Sequence, residues 1–297
     1  MKKIFITLAA SALLTAPAFA SEHGHAEKQS KSATQSVADS VIAKERQLLS
    51  ENANGFGPQS PRDIDAVSGS NQRIFGEAPA STAMNLCNIH FHKNAEHKAH
   101  DFSIYAGNGN GFGYLSGYKA DTSHLSTSEL TPLNNKVCNS HHGDGALHSG
   151  DTIEVHYVYT TAQIKPGQGL GSCFNAAIPA QNPQLRVETQ VYVVVNDKHA
   201  LDFKKLTAYG KTKSGLYQAT GIPSNTGTPV QYEGSTTGPG YNEKASPYQV
   251  SWSVRPHVAK VAITTVGKWC KGNDFKENHG HGVRNLVKNP ALLSKIN

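Results

Sequence analysis

Hydrophobic and polar positions divide the chain near residue 85. Before it, Val41, Ile42, Leu48 and Leu49 stand among charged neighbours, a spacing that predicts one amphipathic helix over 38–49. Residues 52–70 repeat Gly, Pro, Asn and Ser and read as an irregular arm lying on a domain surface. Beyond residue 85, six runs rich in β-branched and aromatic residues predict strands over 87–92, 102–106, 152–160, 185–195, 248–254 and 258–266. Long Gly/Asn/Ser-rich loops separate them, with no alternation of helices that would mark parallel βαβ units. The expected fold is mainly β: a single domain on a large, mostly antiparallel twisted sheet with few short helices. The tail over 284–297 predicts one more short helix.

The other end of the chain changes the picture of where this domain works. Lys2 and Lys3 precede an apolar run from Ile4 to Leu14, and Ala18-Phe19-Ala20 supplies small residues for cleavage. That is the pattern of a secretory signal peptide over 1–20, too short in its apolar core to span a bilayer. Residues 21–35 are polar without apolar period and are expected as a disordered leader. The expected organisation is then a helix and arm over 36–84 and a catalytic β domain over 85–297, in the periplasm or outside the cell. Cys87, Cys138, Cys173 and Cys270 are an even set in an exported chain, read as two disulfides. The favoured pairing is Cys87–Cys270, tying the far end back, with Cys138–Cys173 closing a loop around a strand.

Charge excludes more than it assigns. The chain carries 28 Lys+Arg and 22 Asp+Glu. Without Lys2 and Lys3 the balance is 26 against 22, a net +4, scattered along the chain with no basic helix. No nucleic-acid partner and no membrane span are expected.

Histidine carries the chemistry. Nine of the 15 histidines fall between His90 and His156. In Asn88-Ile89-His90-Phe91-His92, strand alternation puts His90 and His92 on one face and Ile89 and Phe91 on the other. Two imidazoles at that spacing grip one cation from a rigid base. His156, in a second strong strand, is the third ligand candidate, and Glu154 shares its face. Three neutral imidazoles and an open position describe a catalytic Zn2+ site, with Glu154 and Asn88 anchoring the other ring nitrogens. His23, His25, His279 and His281 form two His-Gly-His pairs that read as solvated.

These residues resemble carbonic anhydrases. His90-Phe91-His92 followed by Glu96-His97 is similar to that family's ligand strand and its Glu-His element, and Glu154-Val155-His156 to the strand of its third ligand. The segment from Tyr232 to Gly240 resembles the loop that roofs the zinc in the alpha class, and Val250-Ser-Trp252 the strand after it. The string around His90, with Cys87 and Lys98, is closest to the delta class. The resemblance implies an alpha-type carbonic anhydrase fold and a zinc lyase that hydrates carbon dioxide reversibly to bicarbonate through a zinc-bound hydroxide. It also implies a gate in which Glu96 accepts from a roof threonine. Thr236-Thr237-Gly238-Pro239 departs from the alpha pattern, so either threonine fits the gate; counting from Ser235, Thr237 is preferred over Thr236. No single histidine matches a proton shuttle: His100, His124, His141, His142 and His148 all stand open, as does oligomeric state.

Two rival readings remain. A cupin-type metal dioxygenase would use His90, His92 and Glu96, but Met84 and Ser103 stand where its glycines belong. A non-catalytic periplasmic zinc- or copper-binding protein would draw on the histidine excess. With Met1 and Met84 as the methionines, a methionine-rich copper site is excluded.

Overall fold

The computed structural model describes residues 36–73, 75–174, 183–236 and 243–297. The expected signal peptide and leader, and Thr237, lie outside them. Helix α1 (Asp39–Asn52) turns Ile42 and Leu49 inward. There follow β1 (Asn85–Lys93), β2 (Ile104–Tyr105), β3 (Tyr118–Lys119), α2 (Thr127–Leu130), β4 (Thr152–Thr160) and β5 (Leu185–Val195). Then come α3 (Phe203–Leu206), β6 (Tyr209–Lys211), β7 (Tyr217–Ala219), β8 (Val230–Ser235), β9 (Gln249–Val254), β10 (Ala259–Ala262) and α4 (Ile263–Cys270).

The main sheet has the spatial order β1-β4-β5-β9-β8, with β10 also on β5. Antiparallel ladders join β1 to β4, β4 to β5 and β8 to β9. β9 and β10 both run parallel to β5, so the sheet is mixed, a feature the local pattern did not reveal. The two lie end to end along one edge of β5, opposite 186–189 and 192–195. Pro256 sits in the gap between them, where a residue without an N–H interrupts the ladder. Gln190 bridges the gap, its Nε2 donating to the His257 carbonyl at 2.8 Å.

Each face of the sheet is covered, so alternation sorts residues between two cores rather than between core and water. Ile89 and Phe91 of β1, with Ile153, Val155, Tyr157 and Tyr159 of β4, pack on the face holding α3 and α4. Phe91 lies against Phe203 and Trp269, ring centroids 5.9 Å from each. Val158, Val187, Val191 and Val193 pack with Trp252 on the opposite face. A bulge between Leu86 and Asn88 shifts the alternation, so that Cys87 as well as Asn88 leaves the α3/α4 face.

Several expectations are corrected. The run over 258–266 is a strand only to Ala262; Ile263, Val266, Trp269 and Cys270 are then buried at helical spacing in α4. The run over 102–106 yields only the short β2, paired with β3. Tyr232–Ser235, read as loop, belongs to β8. The tail forms a single 3-10 turn, Pro290–Leu292, which receives the arm: Gln59 donates to the Leu292 carbonyl at 2.6 Å and Ser70 to that of Pro290 at 2.8 Å.

The disulfides are Cys87–Cys173 and Cys138–Cys270, not the favoured pairing. The two-faced sheet explains the exchange. Cys87 faces the segment 167–173, from which Gly167 N and Ser172 Oγ both donate to the Cys87 carbonyl at 2.9 Å. Cys270 ends α4 on the opposite side, where Val137, next to Cys138, belongs to the same apolar cluster.

Candidate metal centre

β1 and β4 pair antiparallel with His90 directly opposite His156 and His92 opposite Glu154. Because side chains of directly opposed residues share a face, the register alone gathers the three imidazoles. Their ring centroids lie 5.1 Å (His90–His92), 5.1 Å (His90–His156) and 4.6 Å (His92–His156) apart. One ligand nitrogen from each falls within 4.8 Å of the others, a spacing that can hold a single metal ion.

The remaining ring nitrogens are each tied to an acceptor. His90 Nδ1 donates to Asn88 Oδ1 at 2.6 Å, His92 Nδ1 to the Gly282 carbonyl at 2.7 Å, and His156 Nε2 to Glu154 Oε1 at 2.6 Å. Those bonds fix the tautomers and leave lone pairs on Nε2 of His90 and His92 and on Nδ1 of His156. Burial also favours the neutral rings. It pulls His90 well below the ordinary histidine range, reinforced by His281, His156 and His92. It lowers His92 to about 4, again helped by His281, and it lowers His156 against the opposing bond to Glu154.

Behind the triad runs a buried polar chain. Glu154 is fully buried. Burial pushes its carboxyl up, but the charge of His97 and the bonds from His156 and His97 outweigh that and hold it well below the usual carboxylate range. Its Oε1 accepts from His97 Nδ1 at 2.8 Å and its Oε2 from the His97 amide at 3.1 Å. His97 Nε2 meets the Tyr232 hydroxyl, which meets Ser60 Oγ at 3.1 Å. His97, Glu154 and His156 also cluster tightly enough for a metal, but these atoms are already spent on one another.

The other expected site residues are placed as follows. Asn88 and Glu154 hold ligand-candidate rings, as strand alternation implied. Glu96 is buried beside His97, within the field of Arg284. Burial lowers that guanidinium to about 10, with Glu96 pulling the other way. Thr236 ends the β8 ladder, its Oγ1 paired with Ser246 Oγ at 2.9 Å. Thr237, one residue on, is outside the described residues. His100, His124 and His148 are exposed.

Sequence reasoning missed His281. It is half-buried rather than solvated, stacked on His90 at 5.0 Å, with Nε2 donating to Glu277 Oε2 at 2.6 Å. Strand-like bonds bring it there: His281 N donates to the Phe91 carbonyl at 2.8 Å and Lys93 N to the His281 carbonyl at 2.9 Å. No local signal marks a Gly-flanked tail as an edge partner of β1.

The family model described as delta carbonic anhydrase matches residues 81–265. A search of curated proteins returns no match. Among solved structures, the chain is similar to the alpha-carbonic anhydrase of Thermovibrio ammonificans in complex with the inhibitor sulfanilamide, at 13% identity over 80% of this chain and 86% of that one, TM-score 0.30. It is also similar to a hyperthermostable carbonic anhydrase from an active hydrothermal vent chimney, at 12% identity over 85% and 90%, TM-score 0.28. The alpha-carbonic anhydrase of Photobacterium profundum gives 14% identity over 81% and 92%, TM-score 0.27. The match over 81–265 spans both histidine strands and more than half of the chain, which belongs to the delta carbonic anhydrase family, enzymes for the reversible hydration of carbon dioxide.

Proposed function

We propose that His90, His92 and His156 hold a zinc ion and that carbon dioxide hydration takes place at the open side of this triad. The observation that carries the reading is the donor set: three neutral imidazoles converging from two paired strands, each with its second nitrogen bound to an oxygen acceptor. A zinc ion held there supplies Lewis acidity that lowers the pKa of a bound water to about 7. The chain's own residues do the rest. Asn88, the Gly282 carbonyl and Glu154 orient the rings, and the negative charge on Glu154 raises the basicity of His156. Glu96 is assigned to accept a hydrogen bond from the Thr237 hydroxyl, so that this hydroxyl's oxygen in turn accepts one from the water to be activated. Thr236 is the alternative. The buried position of Glu96 supports its half of that gate.

The cupin alternative needs Glu96 as third ligand, whereas the nitrogen that converges with His90 and His92 belongs to His156. Export to the periplasm or beyond completes the proposal: the two disulfides support an oxidising compartment. No helix among the described residues is long and apolar enough to cross a membrane.

Stopped-flow hydration of carbon dioxide, with and without a chelator, tests the reading. The zinc-loaded protein is expected to hydrate carbon dioxide well above buffer and to lose that rate on chelation, and His156→Ala to abolish it. A chelator-insensitive rate, or one unchanged in His156→Ala, would refute the assignment.

A further inference from the structure

Positive charge that is scattered in the sequence is gathered by the fold. Residues 197–213 and 263–276 hold 8 Lys and 3 Asp, a net +5, while the remaining 20 Lys+Arg and 19 Asp+Glu nearly cancel. Both segments lie on one side of the sheet, as α3, the β6–β7 hairpin, and α4 with the turn after it. We propose that this lysine face docks the protein onto an anionic lipid bilayer surface, through the phosphates of the headgroups.

Packing turns these lysines outward together. In α3, Phe203 and Leu206 are buried while Lys204 and Lys205 are exposed. In α4, Ile263, Val266, Trp269 and Cys270 are buried while Lys268 is exposed, with Lys271 exposed just beyond the last turn. The two helices sit side by side: the Phe203 and Trp269 ring centroids are 5.2 Å apart, and the Phe203 amide donates to Thr265 Oγ1 at 2.9 Å. The hairpin joins the same face through Tyr209, whose ring lies 5.6 Å from that of Phe275 and whose hydroxyl donates to Asp274 Oδ2 at 2.7 Å. Lys211 and Lys213 stand exposed on it.

The fold leaves this charge unanswered. Lys93, Lys98 and Lys260 each meet a carboxylate at 2.5–2.6 Å, but among the described residues no lysine of the face lies within ion-pairing distance of one. The aspartates of the two segments are occupied: Asp197 Oδ1 accepts from the His199 amide at 2.8 Å, Asp202 Oδ1 from that of Lys204 at 2.9 Å, and Asp274 from Tyr209. Neither segment contains an arginine. That choice suits a bilayer, because an ammonium is a hydrated point charge that attracts a plane of phosphates without fixed geometry, whereas a guanidinium fork selects individual ones. Leu201, 42% exposed between Lys198 and Lys204 in the chain, adds an apolar side chain for the boundary beneath the headgroups.

Docking on this side leaves the metal centre uncovered. Alternation in β4 puts Ile153, Val155 and Tyr157 on the face of α3 and α4, and Glu154 and His156 on the other, where His156 meets Trp252 with ring centroids 5.1 Å apart. A protein held at a membrane by its lysines therefore keeps the triad on the side of the sheet away from the lipid.

Co-sedimentation of the purified protein with vesicles tests the proposal, using phosphatidylcholine alone and phosphatidylcholine mixed equally with phosphatidylglycerol. Binding is expected to the anionic vesicles only, and to disappear at about 1 M salt, where charges are screened beyond about 3 Å. The variant Lys204→Gln/Lys205→Gln/Lys268→Gln/Lys271→Gln is expected to weaken it by about fivefold per lysine, on the order of several hundredfold together. Changing as many exposed lysines elsewhere, in Lys44→Gln/Lys119→Gln/Lys165→Gln/Lys295→Gln, should weaken it far less. Both variants should keep the parent's unfolding midpoint and its hydration rate without vesicles. The hairpin pair Lys211→Gln/Lys213→Gln gives a second reading should the helices lose stability. No binding to the anionic vesicles at low salt, equal losses in the face and control variants, or binding to dextran sulfate without binding to vesicles would overturn the proposal.

Discussion

Glu154 is the residue on which the centre turns. One carboxylate accepts from His156 Nε2, His97 Nδ1 and the His97 amide, so a single side chain fixes a ligand-candidate ring and the strand-end turn behind it. Substituting Glu154→Gln keeps the shape but removes the charge and leaves one position a donor where acceptors are needed. Zinc affinity is expected to fall by about 10–100-fold, read by competition with a chromogenic chelator. An unchanged affinity would mean that Glu154 does not orient His156. At this scale the sequence was readable because the strand period fixes the face: Asn88, His90, His92, Glu154 and His156 all follow from it. His281 and the partners of His97 were not, since their contacts come from residues distant in sequence.

At the scale of the element, β1 serves two cores at once. Its odd positions, Ile89 and Phe91, carry the packing, and its even positions carry the histidines. Phe91 is fully buried between Phe203 and Trp269. Phe91→Ala is expected to destabilise the fold by about 3–5 kcal/mol in urea unfolding, the range for emptying a buried aromatic site. The strands 152–160 and 185–195 were legible to the residue, being long runs of β-branched and aromatic side chains. The run over 258–266 was not. It is short and apolar throughout, so composition fits strand and helix alike, and the exchange at Ile263 depends on α4 finding Phe203 and Phe91 to cover.

Over the whole molecule, the two disulfides staple opposite faces of the sheet, closing spans of 86 and 132 residues. Removing either pair as Ser/Ser is expected to cost about 2–5 kcal/mol by denaturant unfolding. The two should differ in what else they loosen. Cys87→Ser/Cys173→Ser frees the strand next to Asn88 and should speed zinc loss, whereas Cys138→Ser/Cys270→Ser frees the His141–His142 loop and should leave the triad's zinc in place. Equal zinc off-rates in the two variants would contradict this division. The sequence by itself determined the strand content, the facing of His90, His92, Glu154 and His156, and the class of chemistry, because each depends on residue type and a period of two. Which cysteines meet, that β9 and β10 run parallel to β5, and that the tail brings His279 and His281 beside the triad were decided only by the tertiary structure. The reason is physical: when both faces of a sheet are covered, local pattern says that a residue is buried but not in which of the two cores, and that assignment depends on long-range packing.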